Sequence, residues 1–347
     1  MAQVFDEWES TMKLPTPRGP LTAFLFEELA SPPHRFDPPP FFSPQGPVLY
    51  DEDLQLALFA CYELHYRGFE EVDDEWEWNP SLLAVRQDLE RLFEEGLRRT
   101  VPLPPPPGGT PMRRALADLV ATTDGGPGLA AFLARKADLE QFREFVAHRS
   151  VYHLKEADPH TWAIPRLHGP AKAALVEIQI DEYGGGRLDR MHSELFRATM
   201  RSLDLDDSYG AHLERVPAIT LAIGNTMSLF GLHRRHRGAL LGHLAAFEMT
   251  SSLPNLTYAR GLRRLGGDAV ACRFYDEHVQ ADAVHEQIAA HDMCGGFADA
   301  EPGLAPDVLY GAACGLTLDR LFAEHLMDRW RLGVSSLRQA DLMAAGR

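Results

Sequence analysis

Thiols and cations are both scarce in this chain. Its four cysteines, Cys61, Cys272, Cys294 and Cys314, are scattered over 347 residues and form no CxxC pair. That excludes a disulfide framework and a thiolate zinc site, and a reducing cytoplasm is the expected location. Lys and Arg total 34 against 50 Asp and Glu, a net charge of −16, a balance that opposes nonspecific binding to nucleic acid or to an anionic membrane. No window approaches the ~18 uninterrupted apolar residues of a membrane-spanning helix. The opening Met1-Ala-Gln-Val-Phe-Asp-Glu-Trp-Glu has no basic segment followed by an apolar one, so no secretory signal is expected. Alternating β-branched runs, a repeat of solenoid period, a GxGxxG fingerprint and a P-loop are also missing, which argues against a sheet, a repeat array and a nucleotide-binding fold.

What remains is enough for a folded body. Apolar residues make up 45% of the chain, sufficient for a buried core in one large domain or two small ones. Residues 1–48 are rich in Pro (Pro32, Pro33, Pro38, Pro39, Pro40, Pro44, Pro47) and are expected to wrap the surface with little regular structure. Helical periodicity starts near Asp51, where acidic residues suit the positive end of a helix dipole. A second helix follows from Pro80, with Leu82, Val85, Leu89 and Leu92 at 3–4 spacing. The run Val101-Pro-Leu-Pro-Pro-Pro-Pro-Gly-Gly then reads as a stiff linker. The division expected is a Pro-rich segment at 1–48, a helical arm with its linker at 49–108, and a bundle at 109–347. In the last part, helices are expected at 110–122, 128–157, 169–183, 186–202, 209–234, 237–251, 254–265, 268–293, 303–323 and 325–332. The fold class is therefore all-α, and helical bundles build metal sites from inward side chains on facing helices.

One helix carries the chemistry. His278-Val-Gln-Ala-Asp282-Ala-Val-His285 sets two imidazoles and a carboxylate at i, i+4 and i+7, within about 60° of one another on the helix surface. The same pattern also describes a solvated helix face, and a metal needs ligands from elsewhere. Two other segments offer them. One is Glu156, at the end of a helix stopped by Asp158-Pro159. The other is Glu182, separated from His192 by Gly184-Gly185-Gly186. On an unbroken helix Glu182 and His192 would lie roughly 80° out of register, but three glycines cost a helix about 1 kcal/mol each relative to alanine. A joint there would let both side chains turn inward. Two ordinary helices with an exposed Glu and His remain the alternative. His153 reads as a core or ligand-supporting residue, and His291 and Asp292 as exterior. Cys294 reads as a helix end beside Gly295-Gly296. Tyr183 suits either packing or a hydrogen bond to a ligand. Arg273 and Tyr275 flank the ligand helix and are candidates to meet a substrate carboxylate.

Taken together, these pieces resemble the heme-oxygenase-like diiron oxidases and oxygenases, the iron-containing redox enzyme family. Its pattern is a glutamate, then DEYGxG…HxxLF, then His-(x3)-Asp-(x2)-His. Here those positions hold Glu156, Asp181-Glu182-Tyr183-Gly184-Gly185-Gly186, His192-Ser-Glu-Leu195-Phe196, and His278, Asp282 and His285. The likeness runs from about residue 110 to 335 and includes Leu253-Pro254-Asn255, Tyr258 and Gly261-Leu-Arg-Arg-Leu-Gly266; the arm at Asp73-Asp-Glu-Trp-Glu-Trp-Asn-Pro80 is similar to extensions of some members. The resemblance implies a heme-oxygenase-like bundle of about seven core helices. It implies two Fe(II) ions per chain, held by Glu156, Glu182, Asp282, His192, His278 and His285, with O2 as co-substrate. It also implies a small-molecule substrate, with N-oxygenation of an amine in a natural-product pathway as the leading reading. The alternative is oxidative C–C cleavage of a small amino or fatty acid, and a metal-free ligand-binding bundle is the third reading. Electrons would come from an external donor, since no flavin or nicotinamide motif is present. A homodimer through residues 50–110 is a further expectation.

Overall fold

The computed structural model describes residues 12–38, 42, 44, 46–105, 107–123, 126 and 128–339, with the side chains of 280–284 outside the described set. Fifteen α-helices occur among the described residues, with no strand beyond one isolated bridge between Met12 and Phe69. The expected all-α class holds. The first three are α1 (Pro20–Leu29), α2 (Glu52–Glu63) and α3 (Pro80–Thr100); α4 (Met112–Thr122), α5 (Leu129–Arg135) and α6 (Leu139–His153) follow. Next come α7 (Asp158–Thr161), α8 (Gly169–Glu182), α9 (His192–Ser202), α10 (Ala218–Leu232) and α11 (Arg237–Thr250). The last are α12 (Ser252–Arg264), α13 (Ala269–Gln287), α14 (Cys294–Ala300) and α15 (Ala305–Arg331).

Several boundaries depart from the sequence expectation, each for a local reason. The Pro-rich segment contains α1. Pro20 sits at its first turn, where a missing N–H costs nothing, and the Asp53 carboxylate of α2 accepts from the amides of Leu21 and Thr22. The stretch 128–157 is two helices because Asp138 and Gln141 form a reciprocal capping box that starts α6 afresh. Helix α15 runs unbroken to Arg331. Cys294 ends nothing: a π-helical turn over Ile288–Met293 joins α13 to α14, and Gly295 and Gly296 lie inside α14.

The core follows from which helices are apolar all round. Almost every residue of α10 and α11 is buried, as expected of helices at a bundle's centre. Helix α2 is buried from Asp53 to Glu63 and packs on α10, so residues of the 49–108 stretch share the core of the bundle. The most extensive helix contact pairs α11 with α15, and glycine makes it close. A Cβ on Gly242 would fall 1.8 Å from the Val308 carbonyl oxygen, and one on Gly311 would fall 1.9 Å from that of Ala239. These clashes are with backbone, which a rotamer change cannot relieve. Gly311→Ala is expected to lower unfolding free energy by about 2 kcal/mol, read from the chemical-denaturation midpoint. An unchanged midpoint would show that the two helices do not approach this closely.

Candidate metal centre

Glu156, Glu182 and His192 stand at helix ends, and His278 and His285 lie within one helix. Glu156 lies in the turn after α6, held from both sides. Lys155 pairs with Glu63 of α2 (2.7 Å), both buried, and the carbonyl of Ala157 accepts from Gln179 Nε2 (3.0 Å). Ala157 adopts φ 74°, uncommon for a residue with a Cβ and tolerated where surrounding contacts fix it. Glu182 closes α8 and His192 opens α9. The glycine joint between them is real, with φ of 62°, 63° and 75° at Gly184, Gly185 and Gly186. At Gly184 the joint also needs the missing side chain, since a Cβ there would meet the backbone of Arg190 at 2.5 Å. His278 and His285 are both on α13, His285 three residues before the π-helical turn that resets its register; such turns recur at functional sites.

These elements bring the side chains together. Ligand atoms of Glu156, Glu182, His192 and His278 all lie within 4.8 Å of one another, and so do those of Glu182, Glu248 and His285. Glu182 belongs to both groups. Five of the six residues expected from sequence are thus gathered. The sixth, Asp282, lies on α13 with its side chain outside the described residues. Glu248 of α11 was not anticipated. Its signal was present, as the only acidic residue in the largely apolar stretch 238–250, and a buried carboxylate there demands a partner.

Neighbouring groups fix which atom each ligand offers. His278 Nδ1 donates to the Phe274 carbonyl (2.8 Å), which leaves Nε2 as the lone-pair nitrogen facing Glu156. His285 Nε2 donates to Asp181 (3.0 Å), which leaves Nδ1 toward Glu248 at 3.4 Å. A carboxylate or carbonyl behind a histidine is the usual support for metal ligation. His153 Nδ1 donates to Glu156 (2.8 Å), so this histidine supports a ligand, as expected. Tyr183 donates to Asp158 (2.7 Å) and also contacts Thr161, bracing the Glu156 and Glu182 turns against each other. His291 and Asp292 are exposed.

The donor atoms fit a metal. Glu156 Oε2, Glu182 Oε2, His192 Nδ1 and His285 Nδ1 are buried with no hydrogen-bond partner among the described residues, a costly state for polar atoms that nothing compensates. Glu182 Oε2 and His192 Nδ1 sit 2.9 Å apart yet lack hydrogen-bond alignment, a geometry suited to two ligands that converge on one cation. Oxygen and imidazole donors without thiolate suit iron. Charge is already arranged for it. Burial pushes the Glu156 and Glu182 carboxyls up, but His153 and His278 around the first, and His192 beside the second, hold both below the ordinary carboxylate range.

The cluster forms part of the wall of a cavity of about 340 Å³ between α6, α8, α11, α12, α13 and α15. Phe145, Tyr152, Leu244, Phe247 and Phe274 supply apolar lining, and Arg149, Tyr258, Tyr275 and Asp319 are among the polar lining. The size and character are those of a small-molecule site.

With this geometry in view, the comparisons with known proteins agree. Residues 143–320, just over half of the chain, match the family model described as iron-containing redox enzyme. The chain belongs to that family, and its all-α fold is heme-oxygenase-like. Over 165 residues it is 28% identical to the nitrosourea synthase of Streptomyces achromogenes subsp. streptozoticus, an alignment covering 46% of this chain and 34% of that protein. The chain thus spans about a third of that relative's length. No helix among the described residues is long and apolar enough to cross a membrane.

His285 provides a test. Burial lowers its pKa, but Glu248 and Asp181 outweigh this and raise it to about 9 before metal binds. The proton therefore stabilises the fold fully below pH 6.5, and that contribution is lost as pH rises through about 9. A metal taking Nδ1 must displace the proton, and His192, also raised by Glu182 against the effect of burial, adds to the release. Anaerobic Fe(II) titration by calorimetry in buffers of different ionisation enthalpy is expected to show at least one proton released at pH 7, with affinity climbing toward pH 9. Metal uptake with no proton released would remove His285 from the ligand set.

Proposed function

We propose that this chain is a non-heme diiron oxygenase that uses O2 to oxidise a small molecule, with N-oxygenation of an amine or amino-acid-derived substrate as its reaction. The observation that carries the reading is Glu182, one carboxylate common to two adjacent carboxylate–histidine clusters beside a cavity of about 340 Å³. One iron would be held by Glu156, Glu182, His192 and His278, and a second by Glu182, Glu248 and His285, with Asp282 completing the set. Glu248 is added to the ligands expected from sequence. When bound, the irons supply O2 activation and electron transfer. An incomplete protein ligand set leaves positions for O2 and substrate, unlike a closed structural site.

The chain's own residues hold and orient. His153 fixes the Glu156 carboxylate, the Phe274 carbonyl fixes the His278 ring, and Asp181 fixes the His285 ring. The aromatic lining keeps bulk water from the reacting centre, where it would quench reactive species. Electrons come from an external donor. The relative named nitrosourea synthase favours nitrogen as the atom oxidised, because a nitrosourea carries an oxidised nitrogen.

Anaerobic Fe(II) loading is expected to give close to two irons per chain, one for each cluster. His285→Ala and Asp282→Ala are each expected to abolish iron-dependent O2 consumption, and unchanged turnover in either would sink the proposal. Mass spectrometry of turnover with amines and amino acids separates the chemistries. Products that gain oxygen on nitrogen support N-oxygenation, and loss of carbon dioxide or a carbon fragment identifies C–C cleavage instead. A chain that takes up no iron yet binds ligands is a metal-free bundle.

A further inference from the structure

The cavity has a polar end that the metal cluster does not use. Arg149 of α6 lies seven residues before Glu156, roughly 10 Å along a helix axis, and its side chain is only 16% exposed. Its guanidinium packs over the rings of Phe145 and Phe322, and Nη2 donates to Asp319 Oδ1 at 2.6 Å. Tyr275 of α13 stands three residues before His278 and is 2% exposed. Its hydroxyl is buried without a hydrogen-bond partner among the described residues, although the residue lines the cavity. Tyr258 of α12 completes the group, its ring 5.8 Å from that of Tyr275. Arg273, the other residue singled out from sequence for this role, is exposed and does not line the cavity.

A hydroxyl sealed in an apolar wall loses its water without gaining a protein partner. A guanidinium can only donate hydrogen bonds, and one Arg carries five N–H groups, more than Asp319 and the neighbouring Tyr258 hydroxyl engage. A ligand satisfying both groups must present acceptor oxygens, and a carboxylate matches the planar fork of Arg best. We infer that Arg149 and Tyr275 form a carboxylate-binding subsite, with Asp319 modulating the Arg149 charge, so that the substrate is a small carboxylic acid whose other end extends toward the Glu156–His278 side of the cavity. This deepens the oxygenase reading, on which it rests for what happens at that other end.

The experiment is calorimetric titration of hexanoate and hexanamide into the anaerobic iron-loaded full chain, with bound iron measured on the same samples. Hexanoate is expected to bind at least about tenfold more tightly than hexanamide. Tyr275→Phe is expected to weaken hexanoate about tenfold while leaving the thermal midpoint unchanged or raised, because the hydroxyl lost has no partner in the free protein. Asp319→Asn is expected to tighten hexanoate binding, since it frees the Arg149 charge while keeping a side chain of the same size at a half-exposed position. Equal binding of acid and amide, no hexanoate binding in the millimolar range, or wild-type affinity in Tyr275→Phe overturns the subsite; the last would place the carboxylate on iron. A midpoint several degrees lower in Tyr275→Phe would make that hydroxyl a fold element and overturn it as well. Selective hexanoate binding without O2-dependent turnover would defeat the oxygenase reading alone, and turnover without acid selectivity would defeat the subsite alone.

Discussion

Three carboxylates, those of Glu156, Glu182 and Glu248, converge with three imidazoles in one buried pocket, and the surrounding structure is organised around that concentration of charge. Buried carboxylates are costly unless paired or bound to a cation. Here His278 and His285 meet them through the ring nitrogen opposite the one held by the Phe274 carbonyl or Asp181. Such a set is compensated in two ways. Without metal, Glu248 and Asp181 favour a proton on His285 and Glu182 favours one on His192; a bound cation would take the place of these protons.

Rigid supports keep these groups from relaxing apart. The α11–α15 contact, closed to backbone distance by Gly242 and Gly311, fixes the helix carrying Glu248. The Lys155–Glu63 pair, with Tyr209 donating to the same glutamate at 2.7 Å, ties the turn of Glu156 to α2. The N-terminal helices therefore act on the site although none of their side chains ligates. The left-handed glycines after Glu182 do the same for its pairing with His192. The π-helical turn after His285 lets α13 continue into α14 with a changed register.

How far the sequence was legible depended on how local the signal was. The His278, Asp282, His285 spacing is fixed by helix geometry, and a glycine triplet between Glu182 and His192 announces a break in any context. The glycine break is present, and His278 and His285 each stand in a group of potential ligand atoms. Glu248 was harder, because one acid in an apolar helix says that it is buried or paired without saying with what. The capping box at Asp138 and Gln141 was readable and divides a stretch that looks continuous by hydrophobic pattern. The π-helical turn had no such marker, and Gly295-Gly296 suggested a stop where packing sustains the helix.

The sequence by itself determined the helical class, the break between Glu182 and His192, and five of the residues that gather at the candidate centre, because helix periodicity, glycine conformation and ligand chemistry are properties of short segments. Only the tertiary structure decided that Glu182 is common to two clusters, that Glu248 joins one of them, and which nitrogen each histidine turns inward. It also decided that Arg149 and Tyr275 face the same cavity. Those facts depend on distances between helices far apart in the chain, which no local pattern encodes.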